Sequence, residues 1–432
     1  MLREPPKCEA ELNSAVLGAL AKSVLTVIHW YRQMKIALVI KHYSLYQGGA
    51  ERYAVDQSRA LVDEGHEVHI LANRYEPHGP NKIHFHPVSM RSKPSWLRVI
   101  LFSQNARRII EKEHFDVVYA LTQIYPQDMY LTGGGVYRHW MHVRYPFAPL
   151  RWIAYLSRPI HLVNVYLESR IYDEKNNKII VANSLLCKRH AEEYWGVPSN
   201  RIRVIYHGVD HDIFNPQNAT AERDETRQAL GIKEDTPVIL FVSNNWKRKG
   251  LSALLRAVGL IESPKAPFDL AVVGRGNPKS YKKLADKLGL SERVHFIGHT
   301  NDILRYFGIA DLVVLPTLYD SFGNVCIEAM ACGVPVITSG SSGVSELIRA
   351  GENGYVLDDP RDFKELANLL ELCADLTRLK AMGRLARETA LAYTPARNVR
   401  ETMEACQQVF AEKTKRDKDG VRKHIKSRIT NA

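Results

Sequence analysis

Residues 311–343 read DLVVLPTLYDSFGNVCIEAMACGVPVITSGSSG, and this stretch decides the fold. An apolar, β-branched run at 311–315 stops at Pro316, which is typical of a buried strand. After a polar loop, apolar residues recur at helical spacing over about 324–333, and a second apolar run follows at 334–338. Strand, helix and strand in this order predict one βαβ step of a parallel sheet.

The loop inside this step is a candidate anion site. Loops that follow parallel strands open at the carboxyl edge of the sheet, where open α/β folds bind ligands. Gly323 lets a ligand approach the backbone, and the start of a helix offers free N–H groups that suit a phosphate. We expect four residues to form this cradle, namely Phe322, Gly323, Asn324 and Val325.

Two carboxylates flank the same loop. Asp320 lies in the loop before the helix start, and Glu328 lies on the predicted helix after it. An ionised carboxylate only accepts hydrogen bonds, so it suits the hydroxyls of a ribose or a sugar and not the phosphate itself. Together the loop and the carboxylates indicate a nucleotide sugar. Taken alone, Asp320 is equally explained as a turn cap and Glu328 as an exposed helix residue.

The stretch resembles the signature of retaining glycosyltransferases of family 4. In that signature two acidic residues frame a Phe-Gly pair and lead into Glu-Ala-Met-Ala, which stands here at 328–331. Asp320 replaces the family's first Glu, with the same charge and a shorter reach. The resemblance implies that Glu328 holds the ribose diol and Asp320 the donor sugar hydroxyls, so both are candidate catalytic residues.

The resemblance also implies a fold and a reaction. The fold is α/β of the GT-B type, with two Rossmann-like doubly wound parallel-sheet domains that face a central cleft. The reaction is the retaining transfer of a hexose such as glucose from a nucleotide diphosphate sugar, UDP-linked by preference, with no cofactor and no metal. The motifs are closest to family members of lipopolysaccharide synthesis, which implies a glycolipid or polysaccharide acceptor of the cell envelope.

Two loops of the second domain are further donor contacts. Lys247, Arg248 and Lys249 crowd the start of a helix predicted near Gly250. Cations there are unfavourable by roughly a few tenths to 1 kcal/mol each unless an anion compensates them. The resemblance assigns the departing phosphate to Lys249, with help from Arg248 or Lys247. It places the nucleotide base near Gly274, which follows the next strand.

Glycine loops in the first domain complete the candidate site. Gly48 and Gly49 follow the first strand, and the resemblance implies that they approach the donor diphosphate or the acceptor; a plain strand-to-helix turn is the alternative. Three glycines at 133–135 stand where lipopolysaccharide-type relatives carry an acidic or histidine side chain. The acceptor-activating group is therefore open between His139 and Asp128.

The alternation of strands and helices predicts two domains and three smaller segments. The first segment, 1–33, is an extension or a mis-assigned start before Met34. The two domains are an acceptor domain at 34–213 and a nucleotide-sugar domain at 214–395. A helix at 396–412 is expected to cross back to the first domain, and a basic tail follows at 413–432.

Charge and composition indicate the partners. The formal net charge of +12 favours polyanionic partners. No motif of a nucleic-acid module appears, so anionic lipid and phosphate rank above nucleic acid. Residues 144–176 mix arginines with Trp and Tyr, which is read either as a membrane-facing helix or as a core helix with snorkelling arginines. We expect a cytoplasmic protein peripheral to the inner membrane.

Two other function classes are open at this stage. A nicotinamide-dependent dehydrogenase is disfavoured because no G-x-G-x-x-G follows the first strand and the second domain has its own phosphate site. A non-catalytic sugar-nucleotide or lipid-binding protein is favoured only if Asp320 and the glycine loop abolish turnover.

Overall fold

A computed structural model describes most of the chain, with side chains as far as residue 416. The described residues are 33–45, 48–76, 82–91, 93–261 and 268–430. The predicted N-terminal extension lies outside them, apart from Gln33.

The first domain is built on nine strands. They are β1 (Lys35–Val39), β2 (His42–Tyr43), β3 (Glu67–Ala72), β4 (Arg74–Tyr75), β5 (Ile83–Pro87), β6 (Val117–Ala120), β7 (Met129–Leu131), β8 (Ile179–Ala182) and β9 (Ile202–Val204). Seven of them form a parallel sheet in the order β5-β3-β1-β6-β7-β8-β9, while β2 pairs with β4. The register of β1 pairs Ile36 with Val68 of β3 and with Val117 of β6.

Helices cover both faces of this sheet. They are α1 (Gly49–Asp63), α2 (Ser95–Glu113), α3 (Tyr137–Arg144), α4 (Ala148–Ser157), α5 (Pro159–Tyr172) and α6 (Leu185–Trp195). Ile36 and Leu38 of β1 belong to the hydrophobic core on one face, and Ala37 and Val39 to the core on the other. Such double burial explains why the strand sequence is continuously apolar and does not alternate.

The second domain repeats this construction. Its strands are β10 (Val238–Val242), β11 (Asp269–Val273), β12 (Val294–Gly298), β13 (Leu312–Leu315), β14 (Val336–Ser339) and β15 (Gly354–Leu357), in the parallel order β12-β11-β10-β13-β14-β15. Its helices are α7 (Pro216–Thr220), α8 (Arg223–Ala229), α9 (Leu251–Leu260), α10 (Pro278–Lys287), α11 (Leu304–Ile309), α12 (Asn324–Ala331), α13 (Phe363–Leu372) and α14 (Leu376–Leu391).

The predicted βαβ step is present as β13, α12 and β14. Val313 of β13 lies opposite Val336 of β14 in a parallel pairing, and β13 also pairs with β10. The step therefore occupies the middle of the second sheet. The predicted fold class, two doubly wound parallel sheets, is confirmed.

The last helix, α15 (Pro395–Thr430), returns to the first domain. Its Met403, Cys406 and Val409 are buried in the same core as Ile36 and Leu38. The sequence predicts a helix that ends at residue 412 and a separate basic tail, whereas α15 continues without a break to Thr430. Lys, Arg and Glu are good helix formers, so the charged composition does not end the helix.

Close packing against α14 positions α12. A Cβ at Gly383 of α14 would lie 2.0 Å from the carbonyl oxygen of Gly333, just after the end of α12. The backbone of the two elements can approach this closely only because residue 383 has no side chain. Arg387, one turn further along α14, donates a hydrogen bond to the carbonyl oxygen of Ala331.

We expect Gly383→Ala to destabilise the second domain by roughly 1–3 kcal/mol, although alanine is the better helix former. The added methyl group would force α14 away from the residue 333 carbonyl. Thermal unfolding monitored by circular dichroism measures the effect. Arg384→Ala, on the exposed side of the same turn, is the control and should change stability by less than about 0.5 kcal/mol. Equal stability of both variants would contradict this packing.

Candidate functional site

The loop between β13 and α12 is hydrogen-bonded to the first domain. Ser321 donates from its Oγ to the carbonyl oxygen of Gly133 at 2.5 Å. The hydroxyl of Ser184 donates to the carbonyl oxygen of Ser321 at 2.7 Å, and the amide of Asn183 donates to its Oγ at 3.3 Å. All of these residues follow parallel strands, so the carboxyl edges of the two sheets face each other across a cleft.

Tyr319 fills the space beside the glycine loop at 133–135. Its buried hydroxyl accepts a hydrogen bond from the N–H of Val136 at 2.9 Å. A Cβ at Gly135, which has φ +77°, would lie 2.2 Å from that hydroxyl oxygen, whereas a Cβ at Gly134 would meet no atom within 4 Å. Gly135 thus serves the packing between domains, and only Gly134 offers open space to a ligand.

Lys249 and Asp320 form an ion pair at this edge. The Nζ of Lys249 contacts Oδ2 of Asp320, and both side chains are mostly buried. Burial lowers the pKa of Lys249 to about 7, and the positive charge of Arg248 acts in the same direction. An anionic ligand next to Lys249 would stabilise its charged form.

The neighbouring cations differ in their placement. Lys247 is exposed. Arg248 is half-buried, burial lowers its pKa, and its Nε is buried without a hydrogen-bond acceptor among the described residues. Of the two residues considered as helpers of Lys249, Arg248 is the one that has an unmet donor.

The start of α12 offers free donors. Gly323, with φ +103°, stands immediately before the helix in a conformation that favours glycine. The N–H groups of Gly323 and Asn324 donate no hydrogen bond to any described residue. The side chain of Asn324 meets the first domain, since its Oδ1 lies 2.9 Å from Nδ1 of His207, and a Cβ at Gly49 would lie 3.1 Å from its Nδ2. Gly48, the residue before Gly49, is the N-cap of α1.

Three of the predicted cradle residues differ in exposure. The ring of Phe322 is buried and lies 5.6 Å from the ring of His207, so the side chain belongs to the core. Asn324 and Val325 are half-buried at the helix start. The structure therefore brings the side chain of Asn324 to the cleft, whereas Val325 packs against the core of the second domain and Phe322 lies within that core.

Glu328 lies one helical turn after Asn324 and lines a large cavity. The cavity has a volume of about 860 Å³ and lies between α1, the segment at 207–210, α12 and α15. Gly49, Arg52, His207 and Asn324 line it together with Glu328. Burial raises the pKa of Glu328 to about 7, and the positive charge of Arg52 opposes this.

Gly274 lies one strand away from the Lys249 turn. It follows β11, which is paired with β10, and its N–H donates to the carbonyl oxygen of Gly298 at 2.7 Å. The next residue, Arg275, is exposed and donates its N–H to Oδ1 of Asn244 at 2.9 Å. The predicted base-binding loop is thus connected to the turn that carries Lys249.

The two candidate acceptor-activating groups are separated. His139 of α3 faces Tyr319 with ring centroids 4.8 Å apart and stacks on His190 at 3.6 Å. Burial lowers the pKa of His139 to about 4, so its ring is neutral at physiological pH. Its Nδ1 is buried without a partner among the described residues.

The suggestion that Asp128 activates the acceptor is wrong. Asp128 precedes β7, so it lies at the amino edge of the sheet, opposite the cleft. Its Oδ2 accepts a hydrogen bond from the N–H of Val118 at 2.9 Å and pairs with Lys413 of α15 at 3.0 Å. The carboxylate has a structural role, because its two partners connect the start of β7 to β6 and to α15.

Several site residues were not identified from the sequence. They are Arg52, His190, His207, Tyr319 and Ser321. Tyr319 and Ser321 stand within the stretch quoted first, but nothing in that stretch marks them as site residues. Their contacts with the other domain leave no periodic signal in the sequence.

Two family descriptions match the chain side by side. "Glycosyltransferase Family 4" matches residues 47–213, and "Glycosyl transferases group 1" matches residues 222–388. A curated relative, the D-inositol 3-phosphate glycosyltransferase of Thermobispora bispora, is 28% identical over 368 residues, which span 78% of this chain and 84% of the relative.

Solved structures share the fold. WaaG, a glycosyltransferase involved in lipopolysaccharide biosynthesis, has a TM-score of 0.73 at 22% identity, over 84% of this chain and 98% of that chain. Anabaena HepE in complex with UDP-glucose has a TM-score of 0.62 at 22% identity, over 89% of this chain and 100% of that chain.

The raised pKa of Glu328 predicts a pH-dependent stability. Between its ordinary value of 4.5 and about 7, the folded state holds a proton that the unfolded chain has released. The contribution of this carboxyl group to stability therefore falls as the pH rises through that window. Relative to Glu328→Gln, which stays neutral, the wild type should lose roughly 1–3 kcal/mol between about pH 5 and about pH 8.

Thermal midpoints of the two proteins across this range measure the difference. Glu404→Gln, at an exposed position of α15, is the control and should show a constant offset from the wild type. A constant offset for Glu328→Gln as well would show that Glu328 is not buried as described.

Proposed function

This chain belongs to the family 4 glycosyltransferases, and on that premise we propose that it is a retaining hexosyltransferase that uses a UDP-linked sugar. The observation that carries the proposal is the convergence of Lys249, Arg248 and the free N–H groups of α12 at one edge of the cleft, with Glu328 one helical turn away.

These groups match the charge that develops in glycosyl transfer. The reaction breaks the bond between the anomeric carbon and a diphosphate oxygen, so negative charge accumulates on the leaving phosphate. Lys249 and the N–H groups of Gly323 and Asn324 are donors that stabilise this charge without reorganisation. The N–H groups of Gly323 and Asn324 have no other acceptor among the described residues, so a bound diphosphate would satisfy donors that are otherwise unmet.

The carboxylates position the donor. Glu328 accepts hydrogen bonds from the ribose diol, and Asp320 from the donor sugar, once the diphosphate has taken over the contact with Lys249. Correct placement of the reacting atoms is their main contribution. The UDP-glucose complex of HepE supports the choice of nucleotide and sugar. We propose that transfer itself needs no metal.

The acceptor side of the cleft carries cations and neutral histidines. Lys41 follows β1 at the carboxyl edge, and burial together with Arg98 lowers its pKa. No described residue accepts a hydrogen bond from Lys41. The charged form of Lys41 favours an acceptor that bears negative charge. A glycolipid of lipopolysaccharide or another envelope polymer meets that requirement, and His139 is our candidate for contact with its hydroxyl.

An exposed apolar helix supports a location at the membrane surface. On α4, Trp152 is 66% exposed and Leu156 is 78% exposed, and Ile153 lies exposed between them. Arg144 and Arg158 flank the helix and are exposed. Exposed apolar residues bordered by cations fit an anionic bilayer interface. Of the two sequence interpretations of this segment, the exposure of α4 supports the membrane-facing one.

The position of α4 also suits a lipid-linked acceptor. Only residues 145–147 separate it from α3, whose His139 faces the cleft. Within the described part of the chain, no helix is both long enough and apolar enough to cross a bilayer. We propose that the protein works at the cytoplasmic face of the inner membrane, held there by α4 and by basic charge.

Lys249→Ala should lower the affinity for UDP-glucose, or the rate of transfer, at least about tenfold, because it removes a charged hydrogen bond of roughly 1.5–3 kcal/mol. Glu328→Ala should have an effect of similar size. Thermal shift with a panel of nucleotide sugars, followed by a transfer assay in the presence of EDTA, measures both. Lys247→Ala, on the exposed side of the same turn, is the matched control and should change neither value by more than about twofold.

Near-normal binding and transfer in both Lys249→Ala and Glu328→Ala would reject the assigned site. Stabilisation by a nicotinamide cofactor in place of every nucleotide sugar would reject the reaction class.

The double variant Trp152→Ser, Leu156→Ser should bind vesicles of anionic phospholipid at least about tenfold more weakly than the wild type, because it removes the apolar face of α4. Sedimentation with anionic and with zwitterionic vesicles at two salt concentrations measures binding. Leu372→Ser, at an exposed leucine of the second domain, is the matched control. Equal binding to both vesicle types would refute the electrostatic part of the proposal, and unchanged binding by the double variant would refute the role of α4.

A further inference from the structure

Four polar residues form a cluster on β3 and β5, away from the cleft. Glu67 and His69 lie on β3, and His84 and His86 lie on β5. The parallel register places His69 directly opposite His84. β5 is the edge strand of the sheet, and His84 is exposed while His69 is buried. The cluster therefore runs from the interior to the solvent.

The side chains of this cluster are in close contact. Nε2 of His69 lies 2.8 Å from Oε1 of Glu67, and its Nδ1 lies 2.8 Å from Nε2 of His86. The ring of His84 stacks on the ring of His69 with centroids 4.7 Å apart. One ligand atom from each of Glu67, His69 and His84 can be chosen such that all three lie within 4.8 Å of one another.

Such a set of groups is the donor set of a zinc ion. Two imidazole nitrogens and one carboxylate oxygen are ordinary zinc ligands, and a tetrahedral ion completes its shell with a water molecule. Small rotations of the exposed His84 and Glu67 side chains can shorten the remaining distances. The burial of His69 lowers its pKa, which keeps the ring neutral and able to bind a metal.

His86 has the position of an outer partner. A metal-bound histidine usually donates its second ring N–H to a nearby acceptor, which orients the ring. With zinc on Nε2 of His69, the proton on Nδ1 would point to Nε2 of His86. Burial lowers the pKa of His86, so its ring is neutral and can accept this hydrogen bond.

A neighbouring cation does not block the site. Lys35 lies near the cluster and contributes to the lowered pKa of His69. However, Lys35 donates to the carbonyl oxygen of Glu113 at 2.9 Å and pairs with its carboxylate at 3.6 Å. Its charge is thus directed towards the end of α2.

We propose that Glu67, His69 and His84 bind a divalent transition metal, with zinc as the best match, and that this ion ties the edge strand β5 to β3. Glu67 begins β3 and His84 is the second residue of β5, so the site lies towards the amino edge of the sheet. The cleft is at the carboxyl edge. The ion is therefore structural, and it is independent of the proposed glycosyl transfer.

Tag-free, EDTA-treated protein titrated with Zn²⁺ against a chromophoric chelator tests the proposal. The wild type should bind one Zn²⁺, and His84→Ala and Glu67→Gln should each weaken binding at least about tenfold. His299→Asn, at an exposed histidine of the second domain, is the matched control and should bind like the wild type. Both cluster variants change exposed or half-exposed side chains, so the fold is expected to persist, and circular dichroism checks this.

A second readout separates this site from weak surface binding. Zn²⁺ should raise the thermal midpoint of the wild type and of His299→Asn, and should not raise that of His84→Ala. The absorption bands of bound Co²⁺ should change in the two cluster variants. Absence of binding to the wild type would overturn the proposal, as would unchanged zinc affinity in His84→Ala.

Discussion

The hydrogen bonds of Ser321 to the first domain are the contact on which the site depends. Ser321 meets Gly133 and Ser184 through its hydroxyl and its carbonyl group, and so connects the carboxyl edges of both sheets. The same loop holds Asp320 and leads into α12. Glu346 adds a second tie, since its carboxylate accepts the N–H groups of Leu185 and Leu186 at the start of α6. A shift between the domains would therefore move the carboxylates and the phosphate cradle together.

Burial shifts the pKa values of the ionisable groups in the cleft. Burial pushes the pKa of Lys249 down and that of Glu328 up, each to about 7, and lowers the pKa of His207 to about 4. Buried charges are costly, so Glu328 and His207 favour their neutral forms, whereas the charged form of Lys249 has Asp320 as its partner. A nucleotide sugar would offer its phosphates to Lys249 and its hydroxyls to Glu328. The cost of burying these residues is thus offset when the donor binds.

Three candidate functional surfaces of the first domain lie apart from one another. Its carboxyl edge faces the cleft, α4 exposes an apolar surface beside it, and the histidine cluster of β3 and β5 lies towards the opposite edge. The separation follows from the parallel arrangement of the strands, which gives the sheet two chemically different edges. The proposed metal site is therefore separate from the proposed transfer site. The proposed membrane contact of α4 is separate from the core, because Ala154 is the only buried residue of that helix.

The amino-acid sequence by itself determined the two parallel sheets and the place of the site within the second one. Continuous apolar runs such as 312–315 have a local cause, burial on both faces of the sheet, and the sequence alone therefore predicts them as strands. It also determined that Lys249 and Asp320 stand in loops that follow parallel strands, and that Glu328 stands on the helix after the second of these loops. Only the tertiary structure decided that Asp128 lies far from the cleft, that Gly135 packs on Tyr319, and that His69 meets His84. These contacts join residues that are distant in the chain, and the geometry that brings them together leaves no pattern in the residues between them.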